Sequence, residues 1–305
     1  MARTRAQDKA AKKEDESAPP HTKVPKKRQE PEEESKESDE PPAKAPKKDK
    51  KPKNSKPKHE EQAKDDSKAK QATKGNPRGQ MKHSAKGSDK IQKLLSTYGT
   101  LPLQDTALSD PTSPTPETIF AHLLNATLSS TRISHELAAK TVRTVIEAGY
   151  ADLDTLEKSS WQERTEVLTE GGYTHYREKT ATQLGELAEL LGEEYDGDLN
   201  NLLKQAKGSA GSDSSKVIEE VRQKVKKIKG IGNVAVDVFC DTVQGVWPEL
   251  APFIDPRSRK TAEGIGLPTD VQELYEAVGK DPVEMCKLAS ALTVVRLDKK
   301  EGEFT

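Results

Sequence analysis

The chain has 305 residues, 31 % hydrophobic and 4 % aromatic, which is too little large apolar matter to pack two ordinary domains throughout. Its formal net charge of -1 hides a division: residues 1 to 90 carry 26 Lys and Arg against 17 Asp and Glu, a net +9, and the remainder carries -10. Two cysteines, Cys240 and Cys286, are too few for a disulfide framework or a four-cysteine metal or iron-sulfur site, so no cofactor is expected.

Residues 1–87 consist almost wholly of Lys, Glu, Asp, Pro, Ser, Ala and Gln. That composition buries too little apolar surface to offset the entropy of ordering, so a disordered tail is expected. Within it, K-V-P-K-K-R and A-P-K-K-D-K-K-P-K-N-S-K-P-K read either as nuclear-import or polyanion-binding clusters or as a solvated spacer. The opening M-A-R-T-R-A-Q-D-K lacks the apolar stretch of a secretory signal, and the following E-D-E argues against a transit peptide. With no apolar run of bilayer length, the expectation is a nuclear protein without a membrane partner, whose basic tail attracts polyanions or acidic nuclear partners.

Helical spacing of apolar residues begins at Ile91, Leu94 and Leu95. Thr115-Pro116 then offers an N-cap with proline at the first helical position, and Ile119, Phe120, Leu123 and Leu124 form the stripe of the helix it starts. Further helices are expected near 133–148, 151–158, 160–169, 175–192, 196–206 and 216–227. Strand-like alternation is nearly absent, which predicts an all-α domain over 88–305.

From Ile228 the sequence reads I-K-G-I-G-N-V-A-V-D-V-F, two glycines flanking one apolar residue between two helices. Gly230 and Gly232 allow a tight bend and a close approach to phosphate, and the N–H groups at the start of the next helix, near Asn233, complete a small anion site. Ile231 plugs the core beneath, and Lys229 adds charge. Such a site recognises backbone rather than base sequence; the plainer alternative is an ordinary glycine turn. Downstream, F-I-D-P-R-S-R-K-T-A-E-G-I-G-L-P sets Asp255 before Pro256, an N-cap pairing that is compatible with catalysis. A carboxylate fixed there is expected to be rigid and ionised and to project towards the groove beside the hairpin. Arg257 and Lys260 follow it and add two cations.

In this order the hairpin, the spacer, Asp255 and the later Gly266-Leu267 resemble the endonuclease III superfamily of helix-hairpin-helix DNA glycosylases. Its members carry L-P-G-V-G, then V-D-T-H, then R-L-G-L. The segment I-F-A-H-L-L-N-A-T-L-S-S resembles the family's helix ending L-L-S-A-Q, and G-G-Y-T-H-Y-R-E-K-T-A resembles its G-L-Y-N-S-K-A turn. The likeness spans roughly residues 88–295. It implies two helical lobes, a barrel over 116–254 with the hairpin at 228–239 and a second lobe from 88–115 plus 255–300, with Asp255 at their boundary.

The resemblance implies a monomeric enzyme acting on double-stranded DNA: an N-glycosylase that flips a damaged or mismatched base, with Asp255 stabilising the developing sugar cation. Val234 stands where bifunctional members have the Schiff-base lysine, so a monofunctional enzyme is implied, with Lys229 nearby as the substitute to consider. Thr127 occupies the place of the gap-filling glutamine, and Tyr173 and His175 are candidates for a base pocket, with half-buried packing the plainer reading. The alternative function is a catalytically inactive helix-hairpin-helix DNA-binding protein, and a helical interaction protein is the plainest. Trp161 and Trp247 are expected to anchor packing, and Cys240 to be a small buried group.

Overall fold

The structure, a computed structural model, describes residues 78–211 and 213–305, with side-chain burial from Gly87 onward. Among the described residues it contains twelve α-helices and no strand. The composition-based tail lies mostly outside the described residues. The first helix, α1, runs from Arg78 to Tyr98. Ile91 and Leu94 anchor this helix at 2 % and 0 % exposure; once such a segment is nucleated, adding turns ahead of it is cheap.

The rest of the chain is punctuated by side-chain caps. Thr115 accepts from the backbone N–H of Thr118 to start α2 (Pro116–Ser129), with Pro116 at the first position. Ser134 and Asp152 do the same for α3 (His135–Glu147) and α4 (Leu153–Lys158). Ser160 and Glu163 close a reciprocal capping box on α5 (Trp161–Glu170). After α6 (Arg177–Tyr195) and α7 (Asn200–Ala210), Asp213 caps α8 (Ser214–Lys227). Beyond α9 (Asn233–Val243), aspartates cap α10 (Pro256–Gly264), α11 (Val271–Ala277) and α12 (Pro282–Leu297). Each such cap satisfies N–H groups that a helix start leaves unpaired, worth about 1 kcal/mol.

Two hydrophobic cores form. The larger gathers Ile119, Leu123 and Leu124 of α2 with residues of α3 to α9 and ends at Leu250. The smaller joins Ile91 and Leu94 to Ile254, Ile265, Leu267 and the inner face of α12. Leu103 and Leu108, which the sequence reading places with the second lobe, pack against the larger core instead. The central helix α2 lies against α3 and α9, while α12 meets α1, α10 and α9 and so links the two cores. Trp247 is buried edge-on to Phe239, ring centroids 5.7 Å apart, and its indole N–H donates to Asn200 Oδ1 at 2.9 Å. Trp161 does not anchor a core: it is 46 % exposed, and its indole N–H donates to Thr182 on α6 at 3.0 Å.

Candidate nucleic-acid interface and cleft

The hairpin joins α8 to α9. Basic residues Lys224, Lys226 and Lys227 occupy the last turn of α8, where the carbonyl end of a helix favours positive charge. Buried Ile228 ends the helix, and its carbonyl accepts from the N–H of Ile231 at 3.0 Å. Ile231, 8 % exposed, plugs the larger core as its apolar character dictates. Gly230 adopts φ +87, which favours glycine, and a Cβ there would displace the Gln183 amide, 2.1 Å away at the end of its side chain. Gly232 is a different case. It has extended backbone at φ -95 and open space where a Cβ would be, and it starts α9 without any side-chain cap. The N–H groups of the first turn of α9 therefore face solvent with nothing competing for them.

Gly230, Gly232 and exposed Asn233 open onto a cavity of about 430 Å³ that is also lined by Arg132, Tyr173, Lys179 and Gln183. Arg132 comes from the link before α3 and Lys179 from α6, two cations that the sequence reading missed; no local pattern joins them to the hairpin. Lys229 is exposed and its ammonium pairs with Glu186 on α6. It lines neither this cavity nor the neighbouring one.

Val234, 40 % exposed, stands on the rim of both cavities. The second is a cleft of about 570 Å³, walled by the 100–106 link, Asn125 and Ser129 of α2, Val238 and Asp241 of α9, Arg257 of α10, and Thr293 and Arg296 of α12. It runs between the elements of the two cores.

Asp255 sits behind this wall. It caps α10, accepting from the backbone N–H groups of Arg257 at 2.9 Å and Ser258 at 3.2 Å, from Arg257 Nε at 2.9 Å and from the Ser258 hydroxyl. Burial alone would raise its pKa; the bonds from Ser258, Arg257 and Asp241 outweigh that and hold it down at about 2. The carboxylate is thus rigid and ionised. The expectation that it projects into the groove is corrected: Asp255 is fully buried and does not line the cleft. Its acceptor positions are taken by its own helix start, with Arg257 as the lid.

Asp241 of α9, unlike Asp255, does line the cleft, as does Asp105 of the 100–106 link; sequence reasoning passed over both. Only 6 % exposed, Asp241 accepts the backbone N–H of Asp255 at 2.9 Å. Burial, and then the charge of Asp255, push its carboxyl well above the usual range. The carboxyls of two neighbouring acids are thereby driven in opposite directions, Asp255 down and Asp241 up.

The remaining candidates scatter. Thr127 bonds its hydroxyl back to Leu123 O at 2.8 Å and lines neither cavity, whereas Asn125 and Ser129 on the same helix face the cleft. Tyr173 lines the hairpin cavity but is 2 % exposed, its hydroxyl accepting from Thr180 at 3.2 Å. His175 is exposed, edge-on to Tyr176 with centroids 4.4 Å apart, and lies outside both linings. Lys260 is exposed on α10. Burial pushes the thiols of Cys240 and Cys286 up to about 12, which keeps them protonated and unreactive.

These elements define an all-helical protein carrying a helix-hairpin-helix element beside a cleft. Among solved structures, the chain is similar to one described as a trapped endonuclease III–DNA covalent intermediate in an estranged-adenine complex. The two share 15 % identity at a TM-score of 0.40, over 72 % of this chain and 86 % of the other. A likeness of that degree carries no argument about activity. No protein-family model matches the chain, and no curated protein sequence does.

Proposed function

We propose that this chain binds double-stranded DNA by its backbone through the Gly230-Ile231-Gly232 hairpin. The observation that carries the reading is the uncapped start of α9, whose open N–H groups face a cavity shared with Arg132 and Lys179. Phosphate is the ligand such a start favours, and a site of this kind takes hold of either strand without reading bases. The basic tail supplies long-range attraction and a nuclear address. The test is duplex binding by the full chain across a salt series, for wild type and for Gly232→Asp, whose side chain meets open space. Loss of binding in the variant, with its melting curve intact, is the expected result; equal affinities would overturn the reading.

A second reading is base excision without a covalent lysine step, and the acid pair beside the cleft favours it. Val234 at the rim cannot form a Schiff base, and Lys229 is turned to Glu186. In this reading Asp255 steadies positive charge on the sugar as the glycosidic bond breaks, which requires Arg257 to leave its Oδ1 first. Duplexes bearing uracil, thymine glycol, oxidised guanine or alkylated bases, scored for alkali-revealed abasic sites, decide between a binder and an enzyme. Turnover on any one of them that disappears in Asp255→Asn supports excision. A silent panel with intact duplex binding leaves the DNA-binding protein alone.

A further inference from the structure

We propose that Arg257 and Arg296 form an anion site inside the cleft that takes the phosphate of a nucleotide. Both guanidinium groups belong to residues that line the cleft. Arg257 is tied to Asp255 through Nε at 2.9 Å. Arg296 is half-buried on the last turn of α12, and its Nε is buried without a hydrogen-bond partner among the described residues. Burial, and then the like charge of Arg257, work against its protonated form.

Packing one arginine beside another and leaving a buried N–H unanswered is costly. An anion seated in the cleft beside both guanidinium groups offsets their like charge. Phosphate suits the pair because a guanidinium presents two parallel N–H groups to two oxygens. The hydroxyl of Thr293 and the side-chain amide of Asn125 line the same cleft and offer hydrogen bonds to a sugar or base. At about 570 Å³ the cleft falls within the roughly 300–1,000 Å³ of small-molecule sites. Val234 borders both this cleft and the hairpin cavity, so a strand held at the hairpin has its neighbouring nucleotide near Arg257.

A phosphate here competes with Asp255 for Arg257. Its arrival therefore draws the lid off the buried carboxylate, and Arg257 becomes a positioning residue that uncovers Asp255 only when a nucleotide occupies the cleft. The identity of the occupant rests on the DNA-binding reading; the anion site itself does not.

The experiment uses the full chain with three probes: thymidine 5′-monophosphate, thymidine and inorganic phosphate, titrated calorimetrically and by the Nε–H resonances of Arg257 and Arg296. The monophosphate is expected to bind at least about tenfold tighter than either other probe and to shift both resonances, with Arg296→Met losing about tenfold or more, the worth of a charged hydrogen bond. Arg296→Lys, which keeps charge and loses the fork, should fall between. Absent resonance shifts in the wild type, which need no variant to fold, overturn the site, as does an Arg296→Met chain that binds like wild type. Equal binding of inorganic phosphate overturns the nucleotide as occupant. Monophosphate binding without duplex binding in the wild type sinks the DNA reading and leaves the anion site standing.

Discussion

The backbone N–H of Asp255 donates to Asp241 Oδ1 at 2.9 Å, joining the start of α10 to the middle of α9 through two acids whose pKa values are shifted in opposite directions. Asp241, raised by burial and by its neighbour's charge, is protonated in the fold at pH values where the unfolded chain has released its proton. Folding then takes up a proton, so the stability contributed by this group is fully present below about pH 3.9 and is lost as pH rises towards its folded value, by about 1.4 kcal/mol per pH unit. Asp255, lowered to about 2, works the other way: its stabilisation is present above about pH 3.9 and is lost as pH falls towards 2. Asp241→Asn keeps an acceptor for the Asp255 N–H and removes the titration. Its melting temperature should exceed that of wild type by a margin that widens from pH 4 upward; parallel curves would refute the assignment.

His122 lies in α2, fully buried, with both ring nitrogens lacking a hydrogen-bond partner among the described residues. Burial lowers its pKa to about 3. A depressed histidine stabilises the fold above the unfolded value near 6.5 and gives that up as pH falls towards 3, a loss of about 2 kcal/mol by pH 5. His122→Leu should therefore be more stable than wild type at pH 5 by more than at pH 7, read by urea denaturation at both.

The two hairpin glycines should respond differently to alanine. Gly230→Ala meets both a positive φ and the Gln183 amide, and should destabilise by about 1–3 kcal/mol. Adding Gln183→Ala should recover only the steric part. Gly232→Ala has neither obstacle, so its melting curve should move little while its duplex affinity falls, because a methyl stands between phosphate and the open N–H groups.

Asp255 as a cap is tested by a graded pair. Asp255→Ala strips two backbone N–H groups, Ser258 and Arg257 of their acceptor and should cost roughly 2 kcal/mol. Asp255→Asn, itself a good N-cap residue, should cost clearly less in the same denaturation series. Equal losses would mean that charge, not capping, holds α10.

Much of the helical framework could be read from the chain because its causes are local. The stripes at Ile91–Leu95 and Ile119–Leu124, the caps at Thr115 and Asp255 and the glycine pair at 230 and 232 all depend on neighbours within a turn or two.

Backbone conformation and capping act over a few residues, so the all-helical class of the described residues, the place of the hairpin and the ionised, capped state of Asp255 were legible in the chain. Tertiary structure alone decided which way the side chains turn and what meets what. It buried Asp255 behind Arg257, exposed Trp161, turned Lys229 to Glu186, and brought Asp241, Arg257 and Arg296 to one cleft from three helices. Those outcomes follow from the packing of α9, α10 and α12, and contact between distant segments leaves no periodicity in a chain.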